Sequence, residues 1–87
     1  MKKELEGWQL IEESSVEKLV REFDFDDFES ALKFVNKVGQ LAEEEDHHPV
    51  ITLEWGKVEV VWWSHEEGGV EEIDWKMAEA CNEVYKI

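Results

Sequence analysis

The hydrophobic period of the chain changes from helical to extended at Pro49, and back to helical after Gly68-Gly69. Between these points apolar and polar residues alternate from Val50, and Gly56-Lys57 offers a two-residue turn before the pattern continues to His65. Alternation of this kind is typical of a strand with one buried face, and a two-residue turn joins two such strands as a hairpin. The segment therefore predicts an antiparallel hairpin placed between two helices.

Residues 26–45 predict an amphipathic helix. Asp26 followed by Glu29 is a capping-box pattern, in which the Asp26 carboxylate accepts a first-turn N–H. One face then carries the small and apolar residues Phe28, Ala31, Leu32, Val35, Val38, Gly39 and Ala42. Helical spacing returns after Val70, at Ile73, Met77, Ala80, Cys81 and Val84, and predicts a closing helix.

Residues 7–25 fit two alternatives. Trp8 and Leu10, followed by Leu19, Phe23 and Phe25, fit two strands joined by a turn around 12–16. The same segment also fits a capped helix, with Ser14-Ser15 before Val16, Leu19, Val20 and Phe23. Periodicity alone does not choose between them.

The strand after Gly56-Lys57 is apolar on both faces. Val58, Val60 and Trp62 fall on one side, whereas Val61 and Trp63 fall on the other. An exposed apolar patch on so small a domain usually marks an interface. We therefore expect a homodimer or homotetramer; the alternative is that the chain's own N-terminal segment covers Trp63.

Length and charge restrict the class of protein. The 87 residues allow a single domain, 1–87, because two cores would each be too small to hold together. Acidic residues outnumber basic ones 23 to 9, and the net charge of -14 opposes binding to nucleic acid or an anionic membrane. The first residues lack the apolar region of a signal peptide, and Cys81 is the one cysteine, so we expect a cytoplasmic protein.

Three histidines stand where predicted elements end. His47 and His48 precede Pro49, and His65 closes the second strand of the hairpin before Glu66-Glu67. Segments that leave regular structure often carry function. Zinc is one candidate ligand for such a set. However, neighbours in an extended segment point to opposite sides, so His47 and His48 do not suit one ion, and metal-binding spacings such as HExxH are absent.

Covalent chemistry finds little support in the sequence. Cys81 falls on the apolar stripe of the closing helix and is predicted to be a small core residue. The serines lack a nucleophile-elbow context, and the chain has no glycine-rich phosphate loop. General acid–base chemistry remains, because imidazole, with an ordinary pKa of about 6.5, takes either proton state near neutrality.

An ordered set of motifs resembles the pterin-4a-carbinolamine dehydratases. In chain order the motifs are an acid with His-His-Pro within 42–49, the hairpin turn Trp55-Gly56-Lys57-Val58, Ser64-His65, Gly68-Gly69-Val70, and Asp74 with Ala78. The spacings agree with the family, with 18 positions from His47 to His65 and 9 from His65 to Asp74. Upstream residues also fit, so the resemblance covers nearly the whole chain.

The resemblance implies an α+β fold, a four-stranded antiparallel sheet with helices packed on one face, and so favours two strands in 7–25. It implies a homo-oligomer and dehydration of 4a-hydroxytetrahydrobiopterin to quinonoid dihydropterin in tetrahydrobiopterin recycling, with no metal or other cofactor. His47 and His65 become acid and base, in either order, and His48 assists. The implied substrate pocket comprises Glu43, Pro49, Ser64, Glu66, Glu67 and Asp74. A non-catalytic dimerisation or regulatory module and a metal-binding protein remain as alternatives.

Overall fold

A computed structural model describes residues 4–86. Residues 1–3 and residue 87 lie outside this range. The expectation about a signal peptide concerns a segment that includes residues 1–3, so that part of it lies outside the described residues. The elements are, in order, β1 (Gln9–Glu13), β2 (Val16–Asp24), α1 (Phe28–Glu45), β3 (Val50–Glu54), β4 (Lys57–Trp62) and α2 (Glu72–Tyr85). All strand pairs are antiparallel, in the sheet order β1-β2-β4-β3. The α+β fold is confirmed. Neither helix in residues 4–86 combines the length and the apolar composition that a membrane span requires.

Residues 9–24 form a hairpin, as the resemblance implied. The two strands meet at Ser14 and Ser15, whose φ angles of 52° and 67° are both left-handed. Two successive left-handed residues are typical of the type I′ turn, which matches the twist of the flanking strands. Asn and Gly are the usual residues there, so this serine pair is not a clear turn signal in the sequence.

The predicted start of α1 was wrong by one residue. Asp27, not Asp26, is the N-cap, and its Oδ1 accepts the Ser30 N–H at 2.8 Å. That hydrogen bond lowers the pKa of Asp27. Asp26 and Asp27 are adjacent, and Asp26 was predicted as the N-cap because Glu29 lies three residues after it, as in a capping box. The buried face is shifted too: it comprises Ala31, Phe34, Val38 and Ala42, whereas Phe28 and Leu32 are more than 40% exposed.

The second hairpin also differs from the prediction by one residue. Glu54 pairs with Lys57, so the turn is Trp55-Gly56 and Lys57 already belongs to β4. Trp55, expected to continue the buried alternation, is 70% exposed at the tip. At its other end β4 stops at Trp62, and the predicted strand residue His65 lies in a turn instead.

The two-faced character of β4 is confirmed. Val58, Val60 and Trp62 are fully buried in the core beneath the helices, whereas Val61 and Trp63 are only partly buried on the opposite face. Of the described N-terminal residues, Lys18 of β2 lies over the Trp63 ring, which remains partly exposed. Trp8 instead belongs to the helix-side core, where its indole N–H donates to Asn82 Oδ1 at 2.8 Å.

Cys81 is a core residue, as predicted, and its burial raises the pKa of the thiol to about 11. Because the thiolate is the reactive form, we expect Ellman's reagent at pH 8 to label the native protein roughly a few hundred-fold more slowly than the urea-unfolded protein, whose cysteine has an ordinary pKa near 8.5. Stopped-flow labelling with and without urea measures this ratio. Equal rates would contradict the burial of Cys81.

Candidate active site

A cleft of about 420 Å³ opens where the end of α1 meets the segment that follows β4. Its lining comprises Asp46, His47, His48, Ser64, His65, Glu66 and Glu67. Six of these were expected to be site residues, and Asp46 is the one to which the sequence assigned no role. All three histidines of the chain therefore border one cavity.

The end of α1 places the first two histidines. Asp46 adopts a left-handed conformation with φ of 50°, and its N–H donates to the Glu43 carbonyl at 3.4 Å. The His47 N–H donates to the Ala42 carbonyl at 3.1 Å. This pair of bonds is the Schellman arrangement, which ends a helix and reverses the chain. His47 therefore enters the cleft directly from the last turn of α1.

His47 is held by a buried carboxylate. Its Nε2 lies 2.6 Å from Oδ1 of Asp74, and its ring stacks on the Trp62 indole with centroids 5.6 Å apart and planes 14° apart. Asp74 Oδ2 accepts the Ser64 hydroxyl and the Glu71 N–H, each at 2.8 Å. A carboxylate only accepts, so Nε2 is the donor and Nδ1 of His47 stays available for a ligand.

Asp74 has no exposed surface. It therefore lies beneath the cleft rather than in its lining, and it can act on a ligand only through His47 and Ser64. Its position at the start of α2 explains how a residue 27 positions from His47 reaches that imidazole.

His48 has a different carboxylate partner from His47. Its Nε2 lies 2.6 Å from Oε2 of Glu43, and both side chains are exposed. Glu43 and Pro49 border a second groove between α1 and β3, not the histidine cleft, and His48 borders both. The structure thus places these two expected substrate ligands behind His48.

His65 lies in a tight turn beyond β4. Ser64 forms an isolated bridge with Gly69, in which the Ser64 N–H donates to the Gly69 carbonyl at 2.7 Å. The turn closes through Gly68, whose φ of +67° favours glycine. Glu66 and Glu67 occupy the turn and line the cleft. The His65 ring stacks on Trp63, with centroids 4.2 Å apart and planes 26° apart.

The sequence did not indicate the part played by the two tryptophans. In the sequence, the two tryptophans directly precede Ser64-His65, and alternation places them on opposite faces of the strand. Their position next to these site residues was the one indication that they contact the histidines. Asp46 was visible only as the acid before His47. Among residues 4–86, no group of three or more His, Cys, Asp or Glu side chains is arranged to hold a metal ion.

Solved structures share this architecture. A crystal structure of a transcriptional coactivator/pterin dehydratase from Brucella melitensis matches with a TM-score of 0.84 and 37% identity, covering 93% of this chain and 84% of that one. A pterin dehydratase-like protein identified as a RuBisCO assembly factor shares the fold, with a TM-score of 0.73 and 18% identity over 87% of this chain and 88% of its own. Fold and cleft together define a pterin dehydratase-like domain.

The sequence comparison specifies the family. The profile of the family "Pterin 4 alpha carbinolamine dehydratase" matches residues 1–84, and the chain belongs to that family. A relative from Chlorobaculum tepidum is 58% identical over 66 residues, 76% of this chain and 60% of its own length. One from Marinobacter nauticus is 49% identical over 83 residues, 95% of this chain and 75% of its own length. Both carry the pterin-4-alpha-carbinolamine dehydratase name as a provisional assignment.

Proposed function

We propose that the protein catalyses the loss of water from 4a-hydroxytetrahydrobiopterin, giving quinonoid dihydropterin in tetrahydrobiopterin recycling. The observation that carries this proposal is the meeting of His47, backed by buried Asp74, with His65 in one cleft of a chain from this family. Family membership supports the pterin as substrate, and the two imidazoles supply the chemistry that its dehydration needs.

The reaction moves two protons and breaks one C–O bond. The substrate is a carbinolamine, in which the hydroxyl and N5 are attached to the same carbon. An acid protonates the leaving oxygen, the C–O bond breaks as the N5 lone pair forms a C=N bond, and a base takes the N5 proton. Water and the quinonoid dihydropterin are the products. Each positioned acid or base contributes roughly 10²–10⁴-fold to such a rate.

We assign the base to His47. Donation from Nε2 to Asp74 leaves Nδ1 with a lone pair, and the buried carboxylate stabilises the imidazolium that forms when Nδ1 takes the proton. This arrangement is the carboxylate–imidazole pair that also activates hydrolytic enzymes.

We assign the acid to His65. This side chain is exposed, so it can recover its proton from water after each turnover. His48, held on the other side by Glu43, then assists by contacting the bound pterin rather than by exchanging protons.

The rate of dehydration of 4a-hydroxytetrahydropterin, generated chemically and followed by absorbance, tests the proposed function. We expect an acceleration that is linear in protein concentration. An unchanged rate at micromolar protein would overturn the proposal.

A binding role is the second candidate. The Brucella melitensis protein is described as a transcriptional coactivator as well as a pterin dehydratase, and the outer face of the sheet in the present chain offers an apolar surface. A non-catalytic dimerisation or regulatory module on this fold would not change the rate of dehydration in the absorbance assay. Measured turnover therefore separates the two candidates.

We also propose that this outer face joins copies of the chain into a homodimer or homotetramer. The strand register places Val61 between Val20 of β2 and Val50 of β3, with Trp63 on the same face. Val50 is 46% exposed, which leaves apolar surface for a partner to bury.

Assembly should strengthen as salt increases, because the apolar contact opposes a repulsion between chains of charge -14 that salt screens. Sedimentation velocity at several ionic strengths measures this, and Val61→Asp should weaken association, whereas Glu79→Asp, on exposed helix surface, should not. A monomer at tens of micromolar in high salt would contradict the proposal.

A further inference from the structure

The three imidazoles of the cleft are restrained in different ways. His47 and His48 each have a carboxylate oxygen 2.6 Å from Nε2. Within the described part of the chain, His65 makes no such hydrogen bond, and its one partner is the indole of Trp63. An exposed histidine otherwise samples several rotamers, so this stack is the contact that restrains the His65 ring.

We propose that Trp63 is a positioning residue for His65, an inference that rests on the proposed function. With centroids 4.2 Å apart and planes 26° apart, the indole restricts the imidazole plane while leaving both ring nitrogens free. An acid in proton transfer needs this combination, because its N–H must point at the leaving oxygen without being engaged elsewhere.

Trp63 has a contact of its own with the sheet. Its ring lies beside the Lys18 ammonium, whose Nζ is 4.3 Å from the ring centroid, and Lys18 is tied to Glu13 Oε1 at 2.7 Å. Both of these contacts come from the β1–β2 hairpin, so the sheet supports the indole from a neighbouring strand. The contacts of Trp63 thus connect His65, which lies in a turn, to the β1–β2 hairpin of the sheet.

A second indole–imidazole stack lies on the other side of the sheet. Trp62, the residue before Trp63, is buried and stacks on His47, which borders the cleft, and consecutive residues of a strand point to opposite faces. Two successive indoles, at the last residue of β4 and directly after it, therefore each stack on one of the proposed acid–base imidazoles. This pairing fixes the two rings relative to a single short backbone segment.

The test compares Trp63→Ala and Trp63→Phe with Trp55→Ala, which removes an indole that is 70% exposed at the opposite end of the hairpin. The first readout is the NMR resonances of the His65 ring protons, which a stacked indole shifts upfield. The second readout is the pair of values kcat and KM, determined separately in the dehydration assay.

In Trp63→Ala we expect the His65 resonances to move downfield and kcat to fall about tenfold with little change in KM, since geometry and not binding is lost. Trp63→Phe, which retains a ring, should restore kcat to within about threefold, and Trp55→Ala should match the wild type. Unmoved His65 resonances, or a normal kcat when they move, would overturn the inference. If the wild type itself lacks turnover, the proposed function fails and the positioning role with it, while NMR still reports the stack.

Discussion

Replacing His47 or His65 with alanine should lower the dehydration rate at least about tenfold, and replacing both should bring it close to the uncatalysed rate. His47→Ala removes the proposed base, together with the ring that Asp74 orients, and His65→Ala removes the proposed acid. Single-turnover absorbance measurements, with protein in excess over substrate, would compare the chemical step in each variant.

Glu79→Ala is the matched control for these variants, because it shortens an exposed side chain on α2. Circular dichroism establishes that each variant is folded. Unchanged turnover in both single histidine variants would contradict the acid–base assignment.

Asp74→Ala should have the largest effect on stability. The substitution removes a fully buried carboxylate and leaves its three donors, on His47, Ser64 and Glu71, without their acceptor. Of the three, the Ser64 hydrogen bond is buried and the other two are part-buried. A buried group without a partner costs about 1–3 kcal/mol and a part-buried one less, so we expect the free energy of unfolding to fall by about 2–3 kcal/mol. Urea denaturation followed by tryptophan fluorescence measures the change.

Asp74→Asn separates orientation from stability. The amide retains the size of the side chain and one acceptor oxygen, so we expect a smaller loss of stability than with alanine. The negative charge that supports the His47 imidazolium is lost, however, and kcat should still fall by about tenfold or more. A fully active Asp74→Asn protein would show that Asp74 is structural only.

The regular elements were predictable where one pattern prevailed. The spacing along 26–45 corresponds to α1 within two residues. The alternation after Pro49 corresponds to the β3–β4 hairpin, although β4 ends three residues before the predicted His65. The errors came from local degeneracy: Asp26 and Asp27 both suit a cap, and Trp55 fits either strand or turn. The first hairpin depended on two left-handed serines, for which the sequence contains no strong signal.

The site was predictable only as a set of neighbours along the chain. His47, His48 and His65 were evident from their types and motifs, but the support of His47 by Asp74 crosses from α1 to α2 and depends on tertiary packing. Burial decides whether an acid binds a ligand or orients another group, and composition does not report burial. The resemblance to a family identified Asp74 as a site residue, whereas its hydrogen-bond partners became known only from the structure.

The central claim is tested most directly by measuring dehydration with equal concentrations of the wild type and the His47→Ala/His65→Ala double variant, with EDTA in both. We expect the wild type to accelerate the loss of 4a-hydroxytetrahydropterin in proportion to its concentration, unaffected by EDTA, and the double variant to leave the rate near the uncatalysed value. Equal rates for the two proteins, or activity that EDTA abolishes and zinc restores, would contradict histidine acid–base catalysis in this cleft.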